Sequence, residues 1–256
     1  MDQLFLSREQ CRKYLDRIGV SGDVEVSYDF LDLLLRRHRE SVIFENLDTY
    51  LGGRPADLDV ESIFKKIVCE NRGGYCFELS IAFLQLLKGL GFDAYLCGCK
   101  LRSMNHHVNH GSVLVKLGDD ICYCDVGLGC DIPPGPVRLI PGWRKDLQGF
   151  SISVDEAGPF WWKYSFSPGL DIYICRDRYC IDDFKPLNQY MTTNPGKFRD
   201  NVILFKNTSD GYISLIDCLF KRRIGDKITE KYVTKSERDE LIKSEFDINI
   251  LITDNA

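Results

Sequence analysis

A chain of 256 residues, 44% hydrophobic and 28% charged, has the composition of an ordinary globular protein and can form one large domain or two to three small ones. Its net charge of −5 provides no global basic field for nucleic acid, so an anionic ligand needs a local basic or backbone-amide site. The start, Met1 to Ser7, lacks a basic region and a long apolar core, and no apolar run is long enough to span a membrane, so the eleven cysteines read as reduced thiols in a cytoplasm.

In chain order, the first ninety residues read as helical. Ser7 with Gln10 forms a capping box, and Cys11, Tyr14, Leu15 and Ile18 make a stripe ending at Gly19. A second helix covers Tyr28 to Arg39, with His38 at the end of its apolar stripe as a core or helix-end histidine. The connection from Ser41 to Arg54 is apolar enough to lie against the body. A third helix starts at Asp59 as N-cap, with Ile63, Phe64, Ile67 and Val68 facing inward. Next comes Asn71-Arg72-Gly73-Gly74-Tyr75-Cys76-Phe77-Glu78-Leu79-Ser80, where two glycines precede a cysteine that opens a helical run through Leu90. Cys76 thus falls in a first helical turn, where free N–H groups and the helix dipole suit a thiolate.

After Gly91 the period becomes two. Strands are expected at Ala94–Leu101, Gly111–Leu117 and Ile121–Val126, then at Ser151–Val154, Phe160–Ser165 and Asp171–Cys175. Gly118-Asp119-Asp120 marks a hairpin, and Pro133-Pro134-Gly135-Pro136 a stiff loop. Residues from Gly91 to Tyr190 therefore read as a small antiparallel sheet or barrel. The tail carries strands near Val202–Phe205 and Tyr212–Leu219, a helix near Ser236–Lys243 and an apolar end, Phe246–Ile252. Lys221-Arg222-Arg223 reads as a solvated turn.

A hairpin about Leu117-Gly118 sets His110 opposite Asp125, with room for a slip of one or two residues. The carboxylate can then hold the imidazole in one tautomer while the imidazole takes the Cys76 proton. His106 and His107 compete but fit that register worse. Cys97-x-Cys99, Cys122-x-Cys124 and Cys130 raise the alternative of a zinc site, yet the familiar knuckle spacing is missing, so core cysteines are the preferred reading.

With these motifs in place, the chain resembles the arylamine N-acetyltransferases. Tyr14-Leu15-Asp16-Arg17-Ile18-Gly19 resembles the family's opening helix. Ile43-Phe44-Glu45-Asn46-Leu47-Asp48 resembles its Pro-Phe-Glu-Asn-Leu segment, with Ile43 in place of proline. Arg72 to Leu79 resembles the nucleophile motif almost letter for letter, with Ser80 where asparagine is usual. Asn109-His110, Cys124-Asp125-Val126-Gly127-Leu128-Gly129 and the stretch from Asp183 to Pro195 match in order, and the last fifty residues match weakly.

The resemblance implies an α+β fold in three parts: an N-terminal helical bundle (1–90), a central antiparallel β-barrel (91–190) and a C-terminal α/β lid (191–256), with a cysteine-protease-like Cys–His–Asp arrangement. It implies ping-pong acetyl transfer from acetyl-CoA to arylamines or arylhydrazines through Cys76, His110 and Asp125, with no metal. By position it implies Phe44, Leu128 and Phe198 as acceptor-pocket residues and Gly127 and Gly129 as coenzyme contacts. Leu128 replaces the usual phenylalanine and Cys130 the usual glycine. Arg72 with Glu45 is expected to support the cysteine loop. The partners implied are small molecules, an aromatic amine or hydrazine and an acyl-CoA, not nucleic acid or membrane. Two alternatives stay open: a related acyltransferase, amide-forming or hydrolytic enzyme with a different acyl donor, and a non-enzymatic cysteine-rich metal-binding or interaction protein.

Overall fold

In the computed structural model, which describes residues 5–250 and 252, local signals set most helix starts. The expectations for the extreme N-terminus and for position 251 of the apolar tail lie outside the described residues. Ser7 and Gln10 cap α1 (Arg8–Arg17) reciprocally. α2 (Tyr28–Ser41) starts from Ser27 and buries Leu31, Leu34, Leu35 and His38. His38 sits in the core with Nε2 2.8 Å from the Tyr14 hydroxyl and its ring edge-on to Phe83.

The apolar connection is buried as expected, but it contains β1 (Phe44–Glu45) and α3 (Leu47–Gly52), so the first ninety residues are not purely helical. α4 (Val60–Phe64) is capped by the Asp59 carboxylate, 3.0 Å from the Glu61 and Ser62 amides, and runs into a π-helical turn at Lys65–Cys69. α5 (Cys76–Gly89) is buried from Cys76 to Leu87, as a helix apolar on all sides must be.

Eight strands follow: β2 (Asp93–Leu101), β3 (His110–Leu117), β4 (Asp120–Cys124), β5 (Val137–Arg138), β6 (Arg144–Leu147), β7 (Phe150–Glu156), β8 (Trp161–Ser167) and β9 (Asp171–Cys175). They form an antiparallel sheet ordered β5-β4-β3-β2-β9-β8-β7-β6. Among the described residues no ladder joins β5 to β6, so hydrogen bonding does not close the barrel that the resemblance implied. The sheet curls instead. Tyr123 on β4 and Tyr164 on β8 lie four strand spacings apart, about 19 Å on a flat sheet, yet their ring centroids are 5.7 Å apart. Side chains from both ends, Val137 and Ile152 among them, fill one core. The outer face packs on the helices through Ala94, Leu96, Val113 and Val115.

Gly118, at φ +61°, opens a two-residue turn, and Leu117 pairs with Asp120. The register is therefore slipped by two from direct His110–Asp125 opposition. Val113 faces Cys124, which leaves Asp125 just past the ladder, diagonal to His110.

After β9 the chain forms a helix where the sequence reading continued the sheet region: α6 (Ile181–Thr193). Its buried positions, Phe184, Asn188 and Thr192, keep helical spacing, but two of the three are polar and Pro186 interrupts the stretch, so apolar periodicity does not reveal it. The short α7 (Lys197–Asp200) leads into β10 (Ile203–Thr208), β11 (Gly211–Ile216), β12 (Leu219–Ile224) and β13 (Lys227–Tyr232), and the described elements end with α8 (Lys235–Phe246). The expected Tyr212–Leu219 strand is thus two strands, divided at Asp217, whose φ is +51°. Lys221-Arg222-Arg223 is not a turn. It lies within β12, where these residues pair with Glu230, Glu245 and Asp131 at 2.6, 2.5 and 3.0 Å. β1 joins this second sheet by pairing with β10, Phe44 opposite Phe205, which ties the chain's first fifty residues to its last fifty-odd.

Candidate active site

The glycine pair before Cys76 is clamped by the segment around β1. The Glu45 amide donates to the Gly74 carbonyl at 2.9 Å, and the Gly74 amide donates to the Ile43 carbonyl at 3.2 Å. A Cβ on Gly73 would sit 2.1 Å from the Ile43 carbonyl oxygen, so only glycine permits this approach. Cys76 then occupies the first position of α5, almost fully buried.

The loop after β4 closes over it. A Cβ on Gly127 would lie 2.8 Å from the Cys76 carbonyl oxygen. This contact brings the end of β4 and the start of β3 to the start of α5. There His110 Nε2 lies 2.8 Å from Asp125 Oδ2, both side chains 2% exposed. Asp125 Oδ2 also accepts from the Tyr123 hydroxyl at 2.5 Å, and Oδ1 accepts from the Gly127 amide at 2.9 Å.

Burial opposes a charge on His110. The Asp125 carboxylate with its hydrogen bond, and the bond to the Cys76 side chain, outweigh burial and lift the imidazole pKa well above the usual histidine range. Burial likewise opposes ionisation of Asp125. His110, the Tyr123 hydroxyl and the Gly127 amide reverse it and bring the carboxyl below its ordinary value. The geometry thus joins a thiol, an imidazole and an oriented carboxylate whose side chains are almost wholly buried. His106 and His107 lie in the exposed loop before β3.

Beneath the cysteine loop lies a buried ionic cluster. Arg72 reaches Glu45 Oε1 with Nη2 at 2.7 Å and Nε at 3.1 Å, and its Nη2 also reaches Asp48 at 2.9 Å. Lys66 bonds Glu78 at 2.7 Å and Asp48 at 2.8 Å. The second Glu78 oxygen accepts the Tyr75 amide at 3.0 Å, which satisfies the helix start directly before Cys76. Arg72 is therefore expected to support the loop without touching the reaction. Arg72→Ala removes the nearest cation from the fully buried Glu45 carboxylate, which keeps Lys66 Nζ at 3.7 Å and the Leu47 amide at 2.8 Å, and lowers unfolding free energy by about 1.5–3 kcal/mol, measured by urea denaturation; a loss below about 1 kcal/mol contradicts this support role.

The pocket residues expected by position separate into two groups. Phe44 and Phe198 come together, ring centroids 6.2 Å apart, with Phe198 6.0 Å from Tyr75 beside Cys76. Leu128 instead packs toward the core of the curled sheet. Gly129 lies under the Phe44 ring, where a Cβ would come within 2.7 Å. Gly127 and Gly129 therefore let this loop pack closely on Cys76 and Phe44 of the same chain.

Sequence reasoning missed three residues of the surroundings. Asn46 holds the Phe198 segment, donating to the Phe198 and Asn201 carbonyls at 2.6 and 2.7 Å and accepting from the Ile203 amide at 2.8 Å. Asn188 accepts from the Tyr75 hydroxyl. Tyr123 is the third, and period two was its signal: two residues before Asp125 on a strand, it shares that carboxylate's face. The cysteine pairs face opposite ways, Cys97 and Cys99 into the curled sheet and Cys122 and Cys124 toward the helices. No group of three or more His, Cys, Asp or Glu side chains among the described residues is arranged to hold a metal ion.

Residues 27–254 match the family model described as N-acetyltransferase, and the chain belongs to this family. Within it, one relative is the arylamine N-acetyltransferase of Mycolicibacterium smegmatis, 36% identical over 139 residues. That match covers 50% of this chain and 50% of the relative, so it spans about half the relative's length. The N-malonyltransferase FDB2 of Gibberella moniliformis is 27% identical over 267 residues, covering 86% of this chain and 77% of that one. The fold matches the Mycobacterium marinum arylamine N-acetyltransferase solved in complex with CoA, with a TM-score of 0.85 at 20% identity, covering 93% of this chain and 92% of that one.

Proposed function

We propose that this chain transfers the acetyl group of acetyl-CoA to the nitrogen of arylamines and arylhydrazines, in two steps through an acetyl-Cys76 intermediate. The observation that carries this reading is the buried His110–Asp125 pair, 2.8 Å apart, at the start of the helix that Cys76 opens. Asp125 engages Nε2, which leaves Nδ1 for the cysteine. Cys76 passes its proton to His110, and the thiolate attacks the thioester carbonyl. The bond from the carbonyl carbon to the coenzyme sulfur breaks, and the imidazolium returns the proton to the departing thiolate. An amine nitrogen then attacks acetyl-Cys76, His110 takes a proton from it, and Cys76 leaves as thiolate.

The aromatic cluster of Phe44, Phe198 and Tyr75 supports an aromatic acceptor. A cleft of about 490 Å³, lined in part by Arg36, Arg39, Asp131, Asn207 and Arg223, supports a large polar donor. Cys76, His110 and Asp125 do not line this cleft; Arg39 on its wall holds the Ile132 and Pro133 carbonyls and Asn207, and its charge is felt by Asp125. The three-part division at about residues 90 and 190 belongs to this proposal, with α6 spanning the second boundary. So does a cytoplasmic location, supported by eleven free thiols; no described helix is long and apolar enough to cross a membrane.

Mixing the protein with acetyl-CoA and no amine is expected to add one acetyl group, mapped by peptide mass spectrometry to Cys76 and discharged by an aminobenzoate. A label on another residue, or no adduct with a selectively alkylated Cys76, overturns the nucleophile or the donor respectively. The similarity to the malonyltransferase supports a second reading, malonyl transfer by the same steps, and malonyl-CoA in the same experiment separates the two.

A further inference from the structure

We propose that Tyr123 is a positioning residue of this site, its hydroxyl holding Asp125 Oδ2 and setting how strongly that carboxylate draws the His110 proton. The inference rests on the Cys76–His110–Asp125 reading above and deepens it. Two donors converge on one oxygen: His110 Nε2 at 2.8 Å and the Tyr123 hydroxyl at 2.5 Å. Tyr123 is 2% exposed, on β4, and the strand's period of two aims it along the same face as Asp125.

The hydroxyl has one proton. Given to Asp125, it leaves only the phenolic oxygen to face Cys99, whose sulfur lies 3.9 Å away and 4.0 Å from that of Cys97. Burial and the adjacent carboxylate push the Tyr123 hydroxyl pKa well above the usual tyrosine value, so it stays a donor. The other ionisable groups acting on Asp125 come from several elements: Arg39 on α2, Cys99 on β2, Cys124 at the end of β4, Cys130 after β4 and Tyr164 on β8. Arg39 is occupied by the Ile132 and Pro133 carbonyls and Asn207. Among the described residues, only His110, Tyr123 and the Gly127 amide hydrogen-bond to the carboxylate.

The chemistry follows from that shared oxygen. Donation from Tyr123 spreads the carboxylate charge and weakens its hold on the His110 proton. The imidazole then sheds its proton at lower pH and is free to accept one from the incoming amine. Without the hydroxyl, Oδ2 keeps its full charge for His110, and the imidazole stays protonated to higher pH.

The test isolates His110 by capping the cysteine. Acetyl-Cys76 enzyme is prepared with acetyl-CoA, freed of donor and mixed with an aromatic hydrazide whose nucleophilic nitrogen stays neutral across the range. The discharge rate is followed against pH. Tyr123→Phe is expected to move the acid limb up by about half a pH unit or more, since a hydrogen bond to a charged group is worth more than that in part. Incorporation of 3,5-difluorotyrosine at position 123 keeps the ring and strengthens the donor, and it is expected to move the limb down. It also serves if Tyr123→Phe does not fold. A changed plateau with an unmoved limb, or movement of both variants in one direction, overturns the proposal. If the unaltered chain forms no acyl-cysteine, the acyl-transfer reading itself fails, a result distinct from an unmoved limb.

Discussion

Cys76→Ala is expected to abolish acyl transfer, lowering turnover by at least about 10⁴-fold, with the fold retained. The argument is local. The substitution removes a sulfur atom from the first position of α5 but leaves the backbone that Gly127 packs on. Helix propensity favours alanine there. Loss of one buried sulfur costs about 1 kcal/mol, a fall in Tm of about 2–4 °C for a chain of this size. With no thiol, the thioester carbon has no nucleophile, while His110 and Asp125 keep their bond at 2.8 Å. Turnover with acetyl-CoA and an arylamine, beside thermal unfolding, tests both halves. The exposed thiols Cys69 and Cys180 are the built-in control. Persisting turnover, or acetyl label on either of them in the variant, assigns the nucleophile elsewhere.

Asp125→Asn is expected to slow formation of acetyl-Cys76 by about 10³–10⁴-fold with little change in shape. The carboxylate accepts from three donors at once: His110, Tyr123 and the Gly127 amide. An amide cannot accept on both of its terminal atoms. Turned so that its oxygen serves Gly127, it presents N–H groups to His110 Nε2, which must then be the unprotonated nitrogen. The proton moves to Nδ1, where it faces Cys76, and the base is lost. Turned the other way, it sets its N–H groups against the Gly127 amide and displaces the loop over Cys76. Single-turnover acylation followed by mass spectrometry measures the effect, and a rate within tenfold of the unaltered chain refutes the role given to Asp125.

The same variant carries a signature in acid. Asp125 is lowered in the fold, so its stabilisation is present above the ordinary carboxyl value and disappears as pH falls through the lowered folded value. The asparagine variant does not show that part of the acid destabilisation.

Much of this molecule was legible one element at a time. Ser7, Asp59 and the glycine-flanked start at Cys76 announce helices because a capping side chain acts on amides two or three residues away. Asp171–Cys175 was read to the residue because its alternation is set by its own side chains. His110 and Asp125 were legible as neighbours because a short turn limits the register, although the observed ladder is slipped by two. The tail shows the limit of this reading. The β11–β12 turn at Asp217 carries no glycine, and the strand residues Lys221-Arg222-Arg223 resemble a loop until Glu230, Glu245 and Asp131 come to meet them.

What the sequence determined by itself was therefore the set of reactive side chains and the local elements that carry them, because capping, period and turn chemistry act over a few residues. What only the tertiary structure decided was which surfaces meet. Asn46 reaches Phe198 and Ile203 across more than 150 positions, Arg39 reaches Asn207, and Leu128 turns toward the sheet core while Phe44 and Phe198 face one another. The curl that brings Tyr123 within reach of Tyr164 depends on side chains from eight strands filling one interior. Such contacts arise from packing between distant segments, and packing leaves no period in the chain to read.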